Sequence, residues 1–285
     1  MVRVVLKNEI ANPIVDSNNV SLNDQSIDLM VQVLDTHLNI FCQNWNLQTP
    51  QVLRYSDAQP IKQNDWIFYF RISGDPNNTT ISFHDLNDQG VVFGAIYVDT
   101  IINNNGFILS PVSEYSSFIR NSPVTTVSAA TSHEVIEALA DQNLSILWYS
   151  PVGITDYEGK MLFPENTLVS GEVADPVENN LILYSTNNQS VAMSDFILPG
   201  WTNPKSPGPF NFSNTLTRPY QIDQGGYANV AFPFIMYQES IFGDKLINQI
   251  KKNTKRQIRK KSTKSDVMQM LKDKREKMLN RFKSQ

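Results

Sequence analysis

The stretch Ser122-Pro-Val-Thr-Thr-Val-Ser-Ala-Ala-Thr-Ser-His-Glu-Val-Ile-Glu-Ala-Leu-Ala-Asp141 predicts a helix around which the rest of the chain is organised. Ser122 can cap this helix, and Pro123 suits the first helical position, where no amide hydrogen is needed. Apolar residues cover most of its surface, so we expect it to be buried. The helix also carries His133, Glu134, Glu137 and Asp141. Buried charges need partners, and a divalent cation is one such partner.

The spacing of these ionisable residues favours a metal site. His133 and Glu137 are four residues apart and lie on the same side of successive helical turns, so both can reach one ion. Glu134 lies beside that face, where its carboxylate can take a proton from a water bound to the ion. The pattern matches the His-Glu-x-x-His zinc helix with Glu137 in place of the second histidine. The alternative is a helix without a metal, in which the histidine has ordinary hydrogen-bond partners and the three acids are solvated.

A third ligand is predicted in the acidic segment 171–178, Gly-Glu-Val-Ala-Asp-Pro-Val-Glu. Asp141 does not suit this role, because a helix places it about 12 Å along the axis from His133. We interpret Asp141 as an acid that ends the helix or supports its ligands. Either Glu172 or Asp175 can complete a site with His133 and Glu137, and Zn²⁺ is the expected ion.

The order of predicted elements indicates an α+β fold. A capping-box pattern at 21–24 precedes apolar residues at helical spacing over nearly five turns, which predicts a long amphipathic helix. Strand-like runs follow, and the motif helix comes after them, so we expect a twisted mixed sheet packed on two long helices. The predicted strands around the motif helix are Gln51–Tyr55, Trp66–Ile72, Thr79–Phe83, Val91–Val98, Leu144–Tyr149, Lys160–Phe163, Leu181–Ser185 and Val191–Ile197.

Composition favours a chain that folds inside a cell. Hydrophobic residues make up 41% of the 285 residues, enough for a packed core. No apolar run approaches the roughly 18 residues of a membrane span, and the N-terminus does not resemble a signal peptide. The single cysteine, Cys42, excludes an intrachain disulfide and is expected to pack as a small hydrophobic residue. We expect an N-terminal strand and link at 1–20, a metal-binding domain at 21–244 and a tail at 245–285.

The tail differs sharply in charge from the rest of the chain. Residues 245–285 contain 15 of the 24 Lys and Arg residues but only three of the 28 acids. The pattern predicts a basic helical tail on an acidic body. Two interpretations stay open, namely a solvated lysine-rich tail and a tail that contacts nucleic acid or another polyanion electrostatically.

Several blocks in order resemble a largely uncharacterised family of zincin-like proteins. They are 132–141, Glu172-Val-Ala-Asp-Pro-Val-Glu178, 191–201 and Gly225-Gly-Tyr227, preceded by Ser82-Phe-His-Asp85 and 93–99. The likeness covers about residues 60–235. It implies a metallopeptidase-type fold with the metal on the motif helix. Members of the family commonly have Asp-Pro where this chain has Asp141-Gln142, so the exit from the helix differs here.

Two functions follow from these observations. In the first, the ion activates water, Glu134 accepts its proton, and a peptide or protein substrate is hydrolysed. Tyr220 and Tyr227 are candidates to polarise the substrate carbonyl, although packing roles are the alternative for both. In the second, a weakly active or inactive zincin scaffold serves as a structural or interaction protein that acts through its basic tail. For His84, at the end of a predicted strand, two interpretations stay open: a place near the site, and the exposed polar surface that a lone histidine at a strand end usually forms. We interpret His37 as a structural or exposed histidine.

Overall fold

Helices and several sheets alternate along the part of the chain that the structure describes. The computed structural model describes residues 1–74, 79–112, 117–187, 189–232 and 235–240. Their mixed helix and strand content confirms the predicted α+β class. The basic segment 245–285, with the helix and the polyanion contact predicted for it, lies outside the described residues.

The first helix, α1 (Asp24–Trp45), begins at a capping box. The Asn23 side chain accepts from Ser26 N, and Ser26 Oγ accepts from Asn23 N. The box therefore starts two residues later than the predicted pattern. The buried face of α1 includes Ile27, Met30, Val33, Leu34, Leu38 and Phe41. Burial of such a side chain contributes about 1.5–3 kcal/mol, so this face fixes the helix against the core. His37 and Cys42 are also buried on α1.

A five-stranded sheet forms the N-terminal half. Its strands are β1 (Arg3–Asn8), β2 (Gln51–Arg54), β3 (Trp66–Arg71), β4 (Ser82–Leu86) and β5 (Val92–Tyr97). The order is β2-β1-β3-β5-β4, with parallel pairing throughout except for β4, which runs antiparallel at the edge. The segment 1–20 thus contributes β1 to the interior of the sheet. The short helix α2 (Val98–Asn103) follows β5 directly.

The register between β4 and β5 corrects one predicted strand. The run predicted at Thr79–Phe83 forms a strand at Ser82–Leu86 instead, with His84 opposite Gly94. A Cβ atom at Gly94 would lie 2.6 Å from the Phe68 ring, so only glycine allows this close pairing. His84 consequently lies inside the strand and not at its end. Its side chain is only 6% exposed, so the interpretation as surface polarity was wrong.

The motif helix, α3 (Val127–Ala140), begins later than predicted. The capping residue is Thr126, whose side chain accepts from Ala129 N. Ser122 does not cap the helix, because its hydroxyl bonds the Val124 carbonyl within a turn. Thr126 itself is extended and forms a bridge with Phe107. All residues of α3 except Ala140 are buried, and the helix packs against β4, β5, α1 and a later strand.

The C-terminal half of the described chain consists of smaller antiparallel sheets. One contains β6 (Phe118–Ile119), β11 (Leu181–Thr186) and β12 (Gln189–Ser194). Another contains β7 (Leu147–Ser150), β10 (Thr167–Ser170), β13 (Tyr227–Phe232) and β14 (Ile235–Ser240). The strands β8 (Ile154–Thr155) and β9 (Met161–Phe163) pair with each other. Among the described residues, no helix is both long enough and apolar enough to cross a membrane.

Candidate metal centre

Helix α3 is anchored to its surroundings by two hydroxyl side chains. Ser128 Oγ lies 2.8 Å from the Leu109 carbonyl oxygen and 2.7 Å from that of Ala192. Ser132 Oγ accepts a hydrogen bond from Ser194 N on β12. These contacts fix the rotation of the helix. His133, Glu134 and Glu137 therefore face a set of polar groups from β4 and from the acidic segment 171–178.

The acidic segment brings Asp175 to the helix. A short 3₁₀ turn at Asp175–Val177 ends the segment, and the preceding Ala174 N donates to Glu137 Oε1 at 3.3 Å. Asp175 Oδ1 lies 3.3 Å from His133 Nε2, while Asn229 Nδ2 donates to Asp175 Oδ2 at 3.2 Å. Asp175 is almost fully buried. Asp175 Oδ2 is thus held by Asn229 on β13, and Asp175 Oδ1 faces His133 Nε2.

His133, Glu137 and Asp175 have the donor spacing of a tetrahedral metal site. His133 Nε2 lies 3.3 Å from Glu137 Oε1 and 3.3 Å from Asp175 Oδ1. Donors about 2.0–2.1 Å from a tetrahedral ion are about 3.3–3.4 Å apart, so these distances need almost no adjustment. The ligand atoms of all three residues lie within 4.8 Å of one another. The residues present fit a zinc-like ion.

A second histidine faces Glu134. His84 Nδ1 lies 2.7 Å from Glu134 Oε2, and Ser82 Oγ donates to Glu134 Oε1 at 2.6 Å. Ser82 and His84 are two residues apart on β4, so both side chains point to the same face of the sheet. On the other side of the ring, His84 Nε2 lies 4.0 Å from Glu172 Oε2. Glu172 therefore joins the His84 side of the site, whereas Asp175 joins His133.

We use the name metal cluster for the histidine and carboxylate side chains that meet beside α3. It consists of His84, His133, Glu134, Glu137, Glu172, Asp175 and Glu178. Asp175 Oδ1, Glu172 Oε2, His84 Nε2 and Glu178 Oε2 are buried without a hydrogen-bond partner among the described residues. A buried polar atom without a partner is costly, typically by about 1–3 kcal/mol. Four such atoms lie in one place, and two groups of residues there, His133–Glu137–Asp175 and His84–Glu137–Glu172, could each hold a metal ion.

The electrostatics of the cluster also point to a cation. Burial raises the pKa of Glu137, and the charges of Asp175 and Glu172 add to this effect, so the pKa lies well above its usual value. Burial lowers the pKa of His133, but the Glu137 and Asp175 carboxylates outweigh it and the net shift is strongly upward. Glu137 and His133 thus both favour their protonated forms, which reduces the repulsion among the neighbouring carboxylates. A divalent cation would remove that repulsion.

Glu134 differs from the other acids of the cluster. Burial raises its pKa, but the hydrogen bond from His84 and the charge of His133 lower it further than burial raises it. The pKa of His84 is raised in turn, because its contact with Glu134 outweighs burial. Glu134 is therefore an ionised carboxylate with both oxygens engaged.

A pocket opens beside the cluster. Its cavity volume is about 60 Å³, and its lining includes His133, Glu134, Glu178, Ala129 and Tyr227. Tyr227 follows Gly226, where a Cβ atom would lie 2.3 Å from the Pro176 carbonyl oxygen. Glycine is needed there for the start of β13 to pass this close to the acidic segment. Burial and the charges of nearby acids raise the pKa of Tyr227 well above 10, so its hydroxyl stays protonated.

The two tyrosines singled out in the sequence have different environments. The Tyr220 hydroxyl contacts the carbonyl oxygens of Tyr149 and Thr202, and the residue is 1% exposed. It is therefore a packing residue. Tyr227 is the tyrosine that lines the pocket.

The five predicted site residues are brought together, and two residues of the cluster, His84 and Glu178, were not predicted as site residues. His133, Glu134, Glu137, Glu172 and Asp175 all belong to the cluster, while Asp141 caps the end of α3 and accepts from Ile146 N. His84 was missed because the predicted strand ended before it. The alternation of Ser82 and His84 on one strand face is the signal that could have found it.

Comparisons of the chain with protein-family models, with curated proteins and with solved structures find no match.

Proposed function

We propose that this chain is a zincin-like, metal-dependent peptide hydrolase whose ion is held by His133, Glu137 and Asp175. The observation that carries the proposal is the spacing of three buried ligand atoms: His133 Nε2 lies 3.3 Å from Glu137 Oε1 and 3.3 Å from Asp175 Oδ1, and all three residues offer ligand atoms within 4.8 Å of one another. The resemblance of several sequence blocks to zincin-like proteins favours it, as does the packing of α3 on a mixed sheet with an antiparallel edge strand.

The chain's own residues suit hydrolysis of a peptide bond. A bound zinc ion would supply Lewis acidity and a more acidic water. Glu134 lines the pocket as a carboxylate, the form that can accept a proton from the attacking water and return it to the leaving amine. Tyr227, which stays protonated, can donate a hydrogen bond to the substrate carbonyl. The edge strand β4 has its outer side unpaired among the described strands, and an extended peptide could pair there.

A second function is favoured by the hydrogen bonds of Glu134. Ser82 and His84 engage both of its oxygens, at 2.6 and 2.7 Å, and this weakens it as a base. Two carboxylate ligands also weaken a zinc ion as a Lewis acid compared with two imidazoles. Under this alternative the chain is a metal-stabilised scaffold of low or no activity. Its function would then reside in the basic segment 245–285, through contact with nucleic acid or another polyanion.

Metal content and turnover distinguish the two. The full chain, purified without a histidine tag, should contain a divalent metal by elemental analysis, and His133→Ala should lose it. Zinc at 100 times its Kd should stabilise the wild type by about 2.7 kcal/mol in thermal unfolding. Glu134→Gln should keep the metal and lose about 10²–10⁴-fold in peptide turnover. Glu165→Gln, which changes an exposed carboxylate outside the cluster, is the matched control.

Each outcome has a defined meaning. Wild-type protein without stoichiometric metal and without stabilisation by zinc would reject the metal site. Metal that depends on His133, combined with no turnover of broad peptide libraries, would leave the scaffold function. Full activity in Glu134→Gln would reject its role as the base.

A further inference from the structure

We propose that the metal cluster binds a second divalent cation, held by His84, Glu172 and Glu137, with the Glu137 carboxylate bridging the two ions. The proposal rests on the first site, because Glu137 is shared between them. The ligand atoms of His84, Glu137 and Glu172 lie within 4.8 Å of one another, as do those of His133, Glu137 and Asp175.

The orientation of Glu137 is the first step of the argument. Its Oε1 lies 3.3 Å from His133 Nε2, while its Oε2 lies 3.9 Å from His84 Nδ1. The two oxygens of one carboxylate thus lie near two different histidines. The contact with His84 is to Nδ1, and His84, Glu137 and Glu172 offer ligand atoms that all lie within 4.8 Å of one another. A carboxylate in this orientation can bind one ion through each oxygen. Two-metal hydrolytic sites have ions roughly 3.5–4 Å apart, a separation that a carboxylate bridge can span.

His84 has the protonation pattern of a metal ligand. Its Nδ1 is paired with Glu134 Oε2, which fixes the hydrogen on Nδ1 and leaves the lone pair on Nε2. Histidines that bind metals almost always donate their other ring hydrogen in this way, often to a carboxylate. The side chain is 6% exposed and its Nε2 has no hydrogen-bond partner among the described residues. Nε2 points at Glu172 Oε2, 4.0 Å away, which is also without a partner.

If His84 only positioned Glu134, its Nε2 and the Glu172 oxygen would both stay buried without partners. A cation between them satisfies both atoms at once. One imidazole and two carboxylates are ligands that suit Zn²⁺ or Mn²⁺.

The charge of the cluster is consistent with two cations. It contains five carboxylates, from Glu134, Glu137, Glu172, Asp175 and Glu178, against two imidazoles. With neutral histidines, one divalent ion leaves three negative charges uncompensated, and a second ion leaves one. A mononuclear site would therefore leave Glu172 as a poorly compensated carboxylate whose Oε2 is buried without a hydrogen-bond partner among the described residues.

The test is the stoichiometry and magnetic coupling of bound Mn²⁺. The full-length chain, without a histidine tag, is stripped with a chelator, dialysed against Mn²⁺ and measured by elemental analysis and by electron paramagnetic resonance. We expect two Mn²⁺ per chain and an exchange-coupled spectrum. His84→Gln and Glu172→Gln should each bind one Mn²⁺ and give the spectrum of an isolated ion. Asp85→Asn, an exposed acid on β4 next to His84, is the matched control and should bind two.

The outcomes separate this proposal from the proposed function. One ion in the wild type that is lost in His133→Ala would overturn the second site and leave the first intact. Two ions that persist in both His84→Gln and Glu172→Gln would also overturn it, because the extra ion would lie elsewhere. No bound ion would overturn both. If His84→Gln does not fold, Glu172→Gln decides, since the Glu172 side chain is 22% exposed and tolerates an amide more readily.

Discussion

Two buried polar clusters lie in the described part of this chain, and they are built on opposite principles. The metal cluster combines five carboxylates with few donors. The second, which we call the Asp195 cluster, comprises Asp195, Asn180, Asn211, Ser213 and Asp223. Asp195 is fully buried and accepts from Asn211 Nδ2 at 2.6 Å, from Phe196 N at 2.8 Å and from the Ser213 hydroxyl. Asp223 is paired with Arg120 at 2.8 Å and with Asn180 at 2.9 Å.

The difference lies in the balance of donors and acceptors. The Asp195 cluster supplies amide, hydroxyl and guanidinium donors to its two carboxylates, and none of its side-chain atoms is among the unpartnered buried atoms of the described residues. The metal cluster leaves four such atoms. Both clusters are buried and acidic, so burial of acids does not by itself mark a site. An excess of acceptors that no donor satisfies is what distinguishes a ligand site from a structural network.

The largest effect is expected from removing the central acid of the Asp195 cluster. Asp195→Ala removes the side-chain acceptor of Phe196 N and of Ser213 N, and one of the three acceptors of Asn211 Nδ2. We expect the free energy of unfolding to fall by about 3–5 kcal/mol, because each orphaned donor costs about 1–3 kcal/mol and partial relaxation recovers some of it. Urea unfolding in the presence of a chelator measures the change.

The matched variant in the metal cluster is Glu172→Ala, measured under the same conditions. Glu172 accepts only a long hydrogen bond of 3.4 Å, from Ser170, so we expect less than about 1 kcal/mol of destabilisation. Equal losses in Asp195→Ala and Glu172→Ala would remove the distinction between the two clusters.

The second effect is the pH dependence of the free energy of unfolding, to which the buried histidines contribute with opposite signs. His37 packs against Phe196 and Tyr184, and burial lowers its pKa to about 3 from 6.5. Because the unfolded chain binds the proton and the folded chain does not, stability is full above about pH 6.5 and falls as the pH decreases. Between pH 6.5 and 5 the expected loss is about 2 kcal/mol.

The histidines of the metal cluster act in the other direction in metal-free protein. The pKa values of His84 and His133 are raised in the folded state, so their stabilising contribution is present at low pH and is lost as the pH rises through those values. Unfolding measured from pH 5 to 9 should show both slopes. His37→Gln should flatten the acidic slope only, and zinc should flatten the alkaline slope only. An acidic slope unchanged in His37→Gln would contradict the assignment.

The motif helix α3 could be predicted from the sequence because the pattern that marks it is local. His133 and Glu137 face the same way in any α-helix, so their proximity needs no knowledge of the fold. The start of the helix was predicted wrongly, since Ser122 and Thr126 are both plausible caps. The choice between them depends on the bridge from Thr126 to Phe107, which is tertiary.

The remaining site residues depend on non-local geometry. Glu172 and Asp175 were equivalent candidates in the sequence, and only the 3₁₀ turn at Asp175–Val177 directs Asp175 to His133 and leaves Glu172 near His84. For His84 the sequence left open a place near the site or on the polar surface, because strand register is set by the partner strand. Pairing with Gly94 shifts the strand by three residues at each end and turns His84 towards Glu134.

The smallest change in the free energy of unfolding is expected when one carboxylate in each cluster is replaced by the corresponding amide. Burial raises the pKa of Glu178 to about 7 from 4.5, so its contribution to stability is full below about pH 4.5 and is lost as the pH rises through 7. In metal-free protein at pH 8, Glu178→Gln should therefore increase the free energy of unfolding, by about 1 kcal/mol because partial solvent exposure reduces the full effect of the shift.

Burial raises the pKa of Asp223 too, but Arg120 and the other donors lower it below 3.8, so ionised Asp223 is stabilising at this pH. Asp223→Asn should thus decrease stability by about 1 kcal/mol or more. Chemical unfolding of both variants at pH 8, with a chelator, gives the two signs. A loss of stability in both variants would mean that the ionised Glu178 carboxylate is stabilised by its surroundings as well as Asp223 is. Glu178 would then not belong to the excess of hydrogen-bond acceptors in the metal cluster.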